Sequence, residues 1–509
     1  MKNVRIPIYE HLRSRWNHDP SSFHVPGHKY GRELPEAPYD WFRAIMRLDV
    51  TELADTDDLH HPEGIIREAQ QLAAGCYGAE ETFLLVGGST SGNLAMILGV
   101  CSRDDVVIVQ RNIHRSIGNG LRLAGARPVF VRPQFDPLTG TPTIPSLADL
   151  EAVLQAYPQA RAVILSTPNY YGVSVGLAPY AALAHRYGIP LLVDEAHGAH
   201  YGFHPRFPMP AIPSGADAAV QSTHKTLTAL TMGAMLHIQG DRIDKLAIQE
   251  ALSLVQSSSP SYPIMASLDI ARAMVESEGA KLFESCLDAV DRFRAAIRDR
   301  QAGPLAIIEY DDEASVTASP SIAYDPLRVL LYDRTGVWSG FDLLDRLVER
   351  NCAPEMADER FVVLLFGIGT TEYDVAKLLE AIEGISQERM RRIDREGTED
   401  SQVLSIPTDR PEELFESYSV PFNLQRANWD DRQSERILLE EAAGRTAAEM
   451  VVPYPPGIPL LYPGEPIRVS MIRKIRELAD KGVRYQGATD AAMKTIRVMR
   501  EKLANGGRG

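Results

Sequence analysis

Lys225 is the single lysine of "QSTHKTLTALTMGA" (221–234), set between small hydroxyls and an apolar run. Lysines do snorkel from half-buried strand ends. A desolvated ammonium, however, loses its proton readily and becomes a nucleophilic amine. Asp194, 31 residues earlier, closes the apolar run "IPLLVDE". A carboxylate at the end of a buried strand serves a metal, a nucleotide or a protonated ring nitrogen. Further upstream, "GGSTSGN" (87–93) supplies two glycines, then the hydroxyls of Ser89, Thr90 and Ser91, then a helix start. Backbone N–H groups and the helix dipole make such a place a phosphate cradle; a bare N-cap would account for one hydroxyl only. The GK[ST] ending of a Walker A loop is missing. His197, His200 and His204 tempt a metal reading. HxxHxxxH is not a usual zinc spacing and no complete ligand set lies nearby, so no metal is expected.

Cradle, strand-end aspartate and Ser-x-His-Lys, in that order, meet the needs of pyridoxal 5'-phosphate. That cofactor requires a lysine for a Schiff base, an acid that keeps its pyridine nitrogen protonated, and an anion site. His114, in "RNIHRS", is a residue that can stack on the ring.

These residues need a frame. Short apolar runs at 82–88, 105–110, 127–132, 161–167, 189–195, 217–223 and 233–238 alternate with helix-like stretches such as "GIIREAQQLAAGCYG". The runs are continuous in Val, Ile and Leu, as strands covered on both faces are. Strand and helix in alternation predict an α/β fold with a mostly parallel sheet. Polar and glycine residues follow five of the runs, where parallel sheets carry their chemistry. The expected organisation is an N-terminal arm (1–60), a large cofactor-binding domain (61–290), a small α/β domain (291–395) and a C-terminal domain (396–509). The small domain has strands near 305–309, 328–332 and 361–366. Residues 255–275 read as a loop, then a long helix, and 391–402 as a charged linker. "RILLEEAAGRTAAEMVV" reads as a helix, and "PYPPGIPLLYPGEPI" after it carries six prolines.

Composition narrows the function classes. The 509 residues are 44% hydrophobic and 24% charged, which excludes disorder. A net charge of −15 argues against nucleic-acid or anionic-membrane partners and suits a cationic substrate. Four scattered cysteines, Cys76, Cys101, Cys286 and Cys352, form no disulfide framework and point to a reducing cytoplasm. The first residues lack an apolar signal core, and no apolar run reaches the roughly 18 residues of a membrane span.

The chain resembles the Orn/Lys/Arg decarboxylase family, which has the aspartate-aminotransferase fold (fold type I). The resemblance rests on "FHVPGHKYG" (23–31), "DDLHHPEGII" (57–66), "VDEAHGAHYGFH" (193–204), "QSTHKTLTALTMGAMLH" (221–237), "QSSSPSYPIMASLD" (256–269) and the 441–465 segment. It is similar to the shorter members, without an N-terminal receiver-like domain, since FHVPGHK begins at residue 23. Where larger members carry GTS, this chain has GGSTSGN. The resemblance implies that Lys225 carries the cofactor, Asp194 pairs with its pyridinium nitrogen and His114 stacks on its ring. Ser89, Thr90, Ser91 and Ser222 are implied for the phosphate, and His197 and His224 line the cofactor. His224 or Lys225 would return the proton to Cα. The implied assembly is a homodimer or higher homo-oligomer with sites at the interface, "QSSSPSY" of one subunit approaching the phosphate of the other. The implied reaction is loss of CO2 from a basic amino acid, arginine first, then lysine and ornithine, feeding polyamine synthesis. Acidic candidates for the substrate's far end are Glu465, Glu355 and the Asp311–Glu313 cluster. An aminotransferase or other lyase on the same cofactor is the alternative; an aminotransferase would need an arginine gripping the substrate carboxylate.

Overall fold

The computed structural model describes residues 4–18, 21–300, 303–310, 321–396, 417–424, 430–454 and 458–500. The Asp311–Glu313 cluster, the linker from 397 and residues 455–457 of the proline segment lie outside the described residues.

Eight strands arise between residues 81 and 238: β1 (Glu81–Leu85), β2 (Val106–Gln110), β3 (Arg127–Val131), β4 (Ala162–Ser166), β5 (Val173–Val175), β6 (Leu191–Asp194), β7 (Ala218–Gln221) and β8 (Ala234–Ile238). All but β5 form one sheet in the order β1-β8-β7-β6-β4-β2-β3. Strands β2, β3, β4, β6 and β7 pair in parallel. β8 runs antiparallel to both neighbours. Helices lie in the connections from β2 to β3, β3 to β4 and β4 to β6, and turns alone carry the chain from β6 to the parallel β7; β7 returns to β8 through one helical turn and a short loop, which permits antiparallel pairing.

Continuous apolar strands follow from cover on both faces. Along β6, Leu191 and Val193 join Leu150, Tyr180 and Leu183 on one face. Leu192 joins Ile97, Leu121 and Ile248 on the other. The helix Gly88–Val100 is pressed close to the sheet. A Cβ at Gly92 would stand 2.6 Å from Leu85 Cδ1 and 2.9 Å from Val220 Cγ1. Only glycine permits that approach, which places the start of this helix over the strand ends. The expected long helix after "QSSSPS" is present at Tyr262–Glu278.

The next unit carries β9 (Leu305–Ile307), β10 (Ile322–Tyr324), β11 (Arg328–Asp333), β12 (Met356–Ala357) and β13 (Val362–Leu365). A four-stranded antiparallel sheet has the order β12-β13-β11-β9, and β10 pairs with β5. The helix Lys281–Asp299 runs through the expected 290/291 boundary. Its Phe283, Leu287, Val290 and Phe293 pack with Leu305, Val329 and Leu343.

The C-terminal unit departs from the sequence reading. "RILLEEAAGRTAAEMVV" forms no α-helix, only one 3-10 turn at Leu439–Glu441: β14 (Ser434–Leu438) pairs with β17 (Thr495–Met499), and β15 (Val452–Tyr454) with β16 (Arg484–Gln486). Gly444 has φ +79°, which breaks any helix there. Ala447, Val451 and Leu461 are fully buried in one core. Tertiary burial overrides the helix preference of the Ala/Glu-rich segment. Among the described residues no helix is long and apolar enough to cross a membrane.

Candidate active site

β7 delivers the lysine. Ser222 follows the strand, and a single helical turn, Thr223–Thr226, holds Lys225. The turn is pinned by Lys225 N donating to Ser222 O (3.0 Å) and His224 N donating to Gly233 O (3.1 Å). The side chain enters a cavity lined also by Ser89, Asn112, His114, Pro168, Tyr170, Asp194, His197 and Ile458. Lys225 Nζ is 3.1 Å from His197 Nε2 and 5.7 Å from the centre of the Tyr170 ring. Burial lowers the amine's affinity for its proton, and the Asp194 charge works the other way. Burial also lowers His197, well below the usual imidazole range, helped by the charges of Lys225 and Arg328.

Asp194 ends β6 at 3% exposure. Ala196 N donates to its Oδ1 (3.2 Å) and Asn93 Nδ2 to its Oδ2 (3.0 Å). The same Asn93 amide donates to Ser116 Oγ at 3.0 Å. Ser116 then meets His114 Nδ1 twice, through Oγ at 2.8 Å and N at 3.3 Å. Nδ1 of His114 is therefore an acceptor, and the neutral ring carries its proton on Nε2. Burial lowers the His114 pKa, keeping the ring neutral. One hydrogen-bonded chain thus fixes His114 relative to Asp194. His224 is oriented differently: its Nδ1 lies 2.8 Å from Gly233 O, and a carbonyl only accepts, so Nδ1 carries the proton.

The hydroxyls expected at an anion site divide. Ser89 lines the cavity. Ser91 Oγ donates back into its own helix at Gly88 O (2.8 Å), and Thr90 is exposed in this chain. Ser222 Oγ is buried with no hydrogen-bond partner. An orphaned hydroxyl two residues before the residue before Thr226, at the strand end, is a polar group that a phosphate oxygen would satisfy. With a proton-poor amine, a buried carboxylate and an imidazole in the same cavity, these residues fit pyridoxal 5'-phosphate.

Two other groups separate. His197 serves Lys225, His200 lies 3.2 Å from Asp325, and His204 lies 3.5 Å from Glu284. The structure also does not bring Glu465 to the lysine. Glu465 takes Arg111 Nη2 on both oxygens (3.2 and 2.9 Å) and Tyr462 N on Oε2 (3.0 Å). Arg111 further donates to Pro459 O and Leu460 O, and stacks over Phe130 and Tyr462. This buried pair staples the proline loop to the end of β2, a structural task that leaves no free carboxylate for substrate. Breaking one partner of such a pair costs about 3–5 kcal/mol. Glu465→Gln is expected to lower the urea midpoint clearly while leaving discrimination among basic amino acids unchanged; a variant of wild-type stability with altered discrimination would refute this. Glu355 is the acidic candidate whose charge acts on both Lys225 and His224.

Sequence reasoning missed Asn93, Ser116, Tyr170 and Arg328. Asn93 stood in the GGSTSGN stretch, five residues past the second strand-end glycine, one helical turn along the face that carries Ser89. Arg328 had no local signal.

Comparison with known proteins agrees in its reach. Residues 6–374 match the family model described as Orn/Lys/Arg decarboxylase, major domain, and residues 420–487 its C-terminal domain. The uncharacterized protein YaaO of Bacillus subtilis is 39% identical over 490 residues, 95% of this chain and 96% of that protein. A Bacillus subtilis protein named arginine decarboxylase is 32% identical over 506 residues, 99% of this chain and 100% of the relative. The structure of lysine decarboxylase A from Pseudomonas aeruginosa superposes with a TM-score of 0.78 at 23% identity, over 97% of this chain and 80% of that one, which shows the fold. Strand-end chemistry, fold and full-length similarity converge: the chain belongs to the Orn/Lys/Arg decarboxylase family and is a pyridoxal 5'-phosphate-dependent amino-acid decarboxylase.

Proposed function

We propose that the protein decarboxylates arginine to agmatine and CO2, with lysine and ornithine as lesser substrates. The observation that carries the chemistry is the meeting of Lys225, Asp194 and His197 in one cavity at the strand ends. What supports arginine is the near-complete alignment with the relative of that name. Bound pyridoxal 5'-phosphate supplies an electron sink for the pair released when the Cα–carboxylate bond breaks.

The chain's residues take the following tasks. Lys225 would hold the cofactor through its amine, which burial keeps poor in protons. Asp194, held by Asn93 and Ala196, would keep the ring nitrogen protonated. His114, fixed by Ser116, would cover the ring. Ser222, Ser89 and the start of the helix Gly88–Val100 would take the phosphate, with Thr90 and Ser91 less directly placed. Pro168, Tyr170 and Ile458 would give the cavity part of its apolar lining. His224 has only Nε2 free to move a proton, since Nδ1 is tied to Gly233 O. His224 through Nε2, or Lys225 once its amine has taken up a proton, would return the proton to Cα. Glu355, exposed ahead of β12, would face the guanidinium of the substrate.

The aminotransferase reading needs an arginine free to grip a carboxylate. Arg328 reaches the cluster, but it donates to His197 Nδ1 and Tyr170 O instead. A desulfurase would need an activated thiol, whereas burial pushes Cys76 and Cys101 up to about 12 and Cys286 up to about 11.

The working unit is a homodimer. Ser257, Ser258 and Ser259 of the "QSSSPSY" loop are exposed in a single chain, and so are Phe23 (96%) and Trp41 (84%). Large exposed apolar side chains of this kind mark contact surfaces. A stable, fully active monomer in sedimentation would contradict the dimer. Four unpaired cysteines suit a cytoplasmic location.

Substrate choice is tested by measuring CO2 release from arginine, lysine and ornithine side by side, with the amine product identified. Arginine should give the highest kcat/KM. Turnover driven only by an amino acceptor such as 2-oxoglutarate, without CO2, would replace the decarboxylase by an aminotransferase.

A further inference from the structure

Arg328 opens β11, yet its guanidinium reaches His197, the imidazole that faces Lys225. The side chain is 1% exposed. One Nη donates to His197 Nδ1 at 2.9 Å and the other to Tyr170 O at 3.1 Å. Gly172, at φ +85°, makes room for it: a Cβ there would stand 2.9 Å from Arg328 Cβ. Asp325, fully buried, lies 3.8 Å from Arg328 Nε and 3.2 Å from His200 Nε2, so the guanidinium has an anchoring countercharge.

A guanidinium has donors only and keeps its proton at any working pH. The nitrogen facing it, His197 Nδ1, is therefore the acceptor. A neutral imidazole has one proton, and here it goes to Nε2. That Nε2 is 3.1 Å from Lys225 Nζ. An N–H donor requires a lone pair opposite it, which Lys225 offers as a neutral amine. An ammonium at Lys225 would instead aim its own protons at a nitrogen that already carries one. The imidazole thus couples two protonation states, and the residue on its far side sets the sense of the coupling.

We propose that Arg328 is a positioning residue: by holding the proton of His197 on Nε2, it keeps the Lys225 amine unprotonated and available. The use of that amine rests on the cofactor role proposed above, but the tautomer is a property of the chain alone. The charged or titratable groups around Lys225 are Asp194 from β6, His114, His197, His224, Arg328 from β11 and Glu355. Asp194 and Glu355 favour an ammonium; burial and Arg328 oppose it. Removing Arg328 both releases the His197 proton and deletes a positive charge, and both effects favour the ammonium.

The test is competitive labelling of the full-length chain, before cofactor is added, with acetic anhydride across a pH series, reading acetylation of the Lys225 peptide by mass spectrometry. In Arg328→Met the midpoint of Lys225 reactivity should move to higher pH by about one unit, roughly tenfold less labelling below both midpoints. Arg328→Lys, whose ammonium is also donor-only, should stay near wild type, a rescue that a merely space-filling role does not predict. A folded Arg328→Met with the wild-type profile would overturn the proposal. Should that variant not fold, 15N NMR of histidine-labelled wild type decides: Nδ1 of His197 must resonate as the bare nitrogen and Nε2 as the protonated one, and the reverse pattern overturns it. Failure of the cofactor role would show separately, as attachment at another lysine.

Discussion

Replacing Lys225 by alanine is expected to reduce decarboxylation by on the order of 10⁵-fold, the lower end of what an oriented intramolecular group gains over a free one. Folding should survive. Lys225 is half-buried, and burial already works against its charge, so the folded state loses no favourable ion pair when the amine goes. A small primary amine in the buffer should restore part of the activity, because the vacated space opens onto the same cavity. Steady-state kinetics and a urea melt on the same preparation separate the two effects. A Lys225→Ala enzyme within a hundred-fold of wild type would remove this lysine from the chemistry.

Asp194→Asn should bind the cofactor but lose most turnover. A hydrogen bond to a charged group contributes roughly 1.5–3 kcal/mol, or about 10- to 150-fold, before any extra stabilisation of a carbanionic transition state. The structure adds a second penalty. Asn93 Nδ2 donates to Asp194 Oδ2 and Ala196 N to Oδ1, so an amide at 194 must turn its own NH2 toward one of two donors. Rotating Asn93 to relieve this takes its Nδ2 from Ser116, which in turn orients His114. The loss should therefore exceed that from neutralising the carboxylate alone, and it should appear in kcat more than in KM. Turnover within a few-fold of wild type would show that Asp194 does not hold a ring proton.

Much of the frame was legible because continuous Val/Ile/Leu runs occur where both faces of a sheet are covered, and β6 and β7 are buried at every position. Lys225 and Asp194 were legible because strand ends concentrate polar residues in a parallel sheet. The direction of β8 was not, since pairing depends on the connection rather than on the strand's own residues. The Ala/Glu-rich segment from 436 misled because local helix preference is weak beside the burial of Ala447 and Val451. Glu465 misled for another reason: a carboxylate in a stiff loop looks available until its partner is known, and Arg111 lies 354 residues away in sequence. Arg328 and His197, 131 residues apart, meet only because β11 and the segment after β6 are brought together by the fold. Resemblance to a family named the cofactor-lining histidines, but it did not say which nitrogen of each carries the proton. Hydrogen-bond partners did.

The most direct measurement is attachment of the cofactor. The wild-type holoenzyme is reduced with borohydride, digested and mapped by mass spectrometry. The predicted result is a single pyridoxyl group on Lys225, in the peptide containing "STHK". A pyridoxyl group on any other lysine would contradict the assignment of the site on which the rest depends.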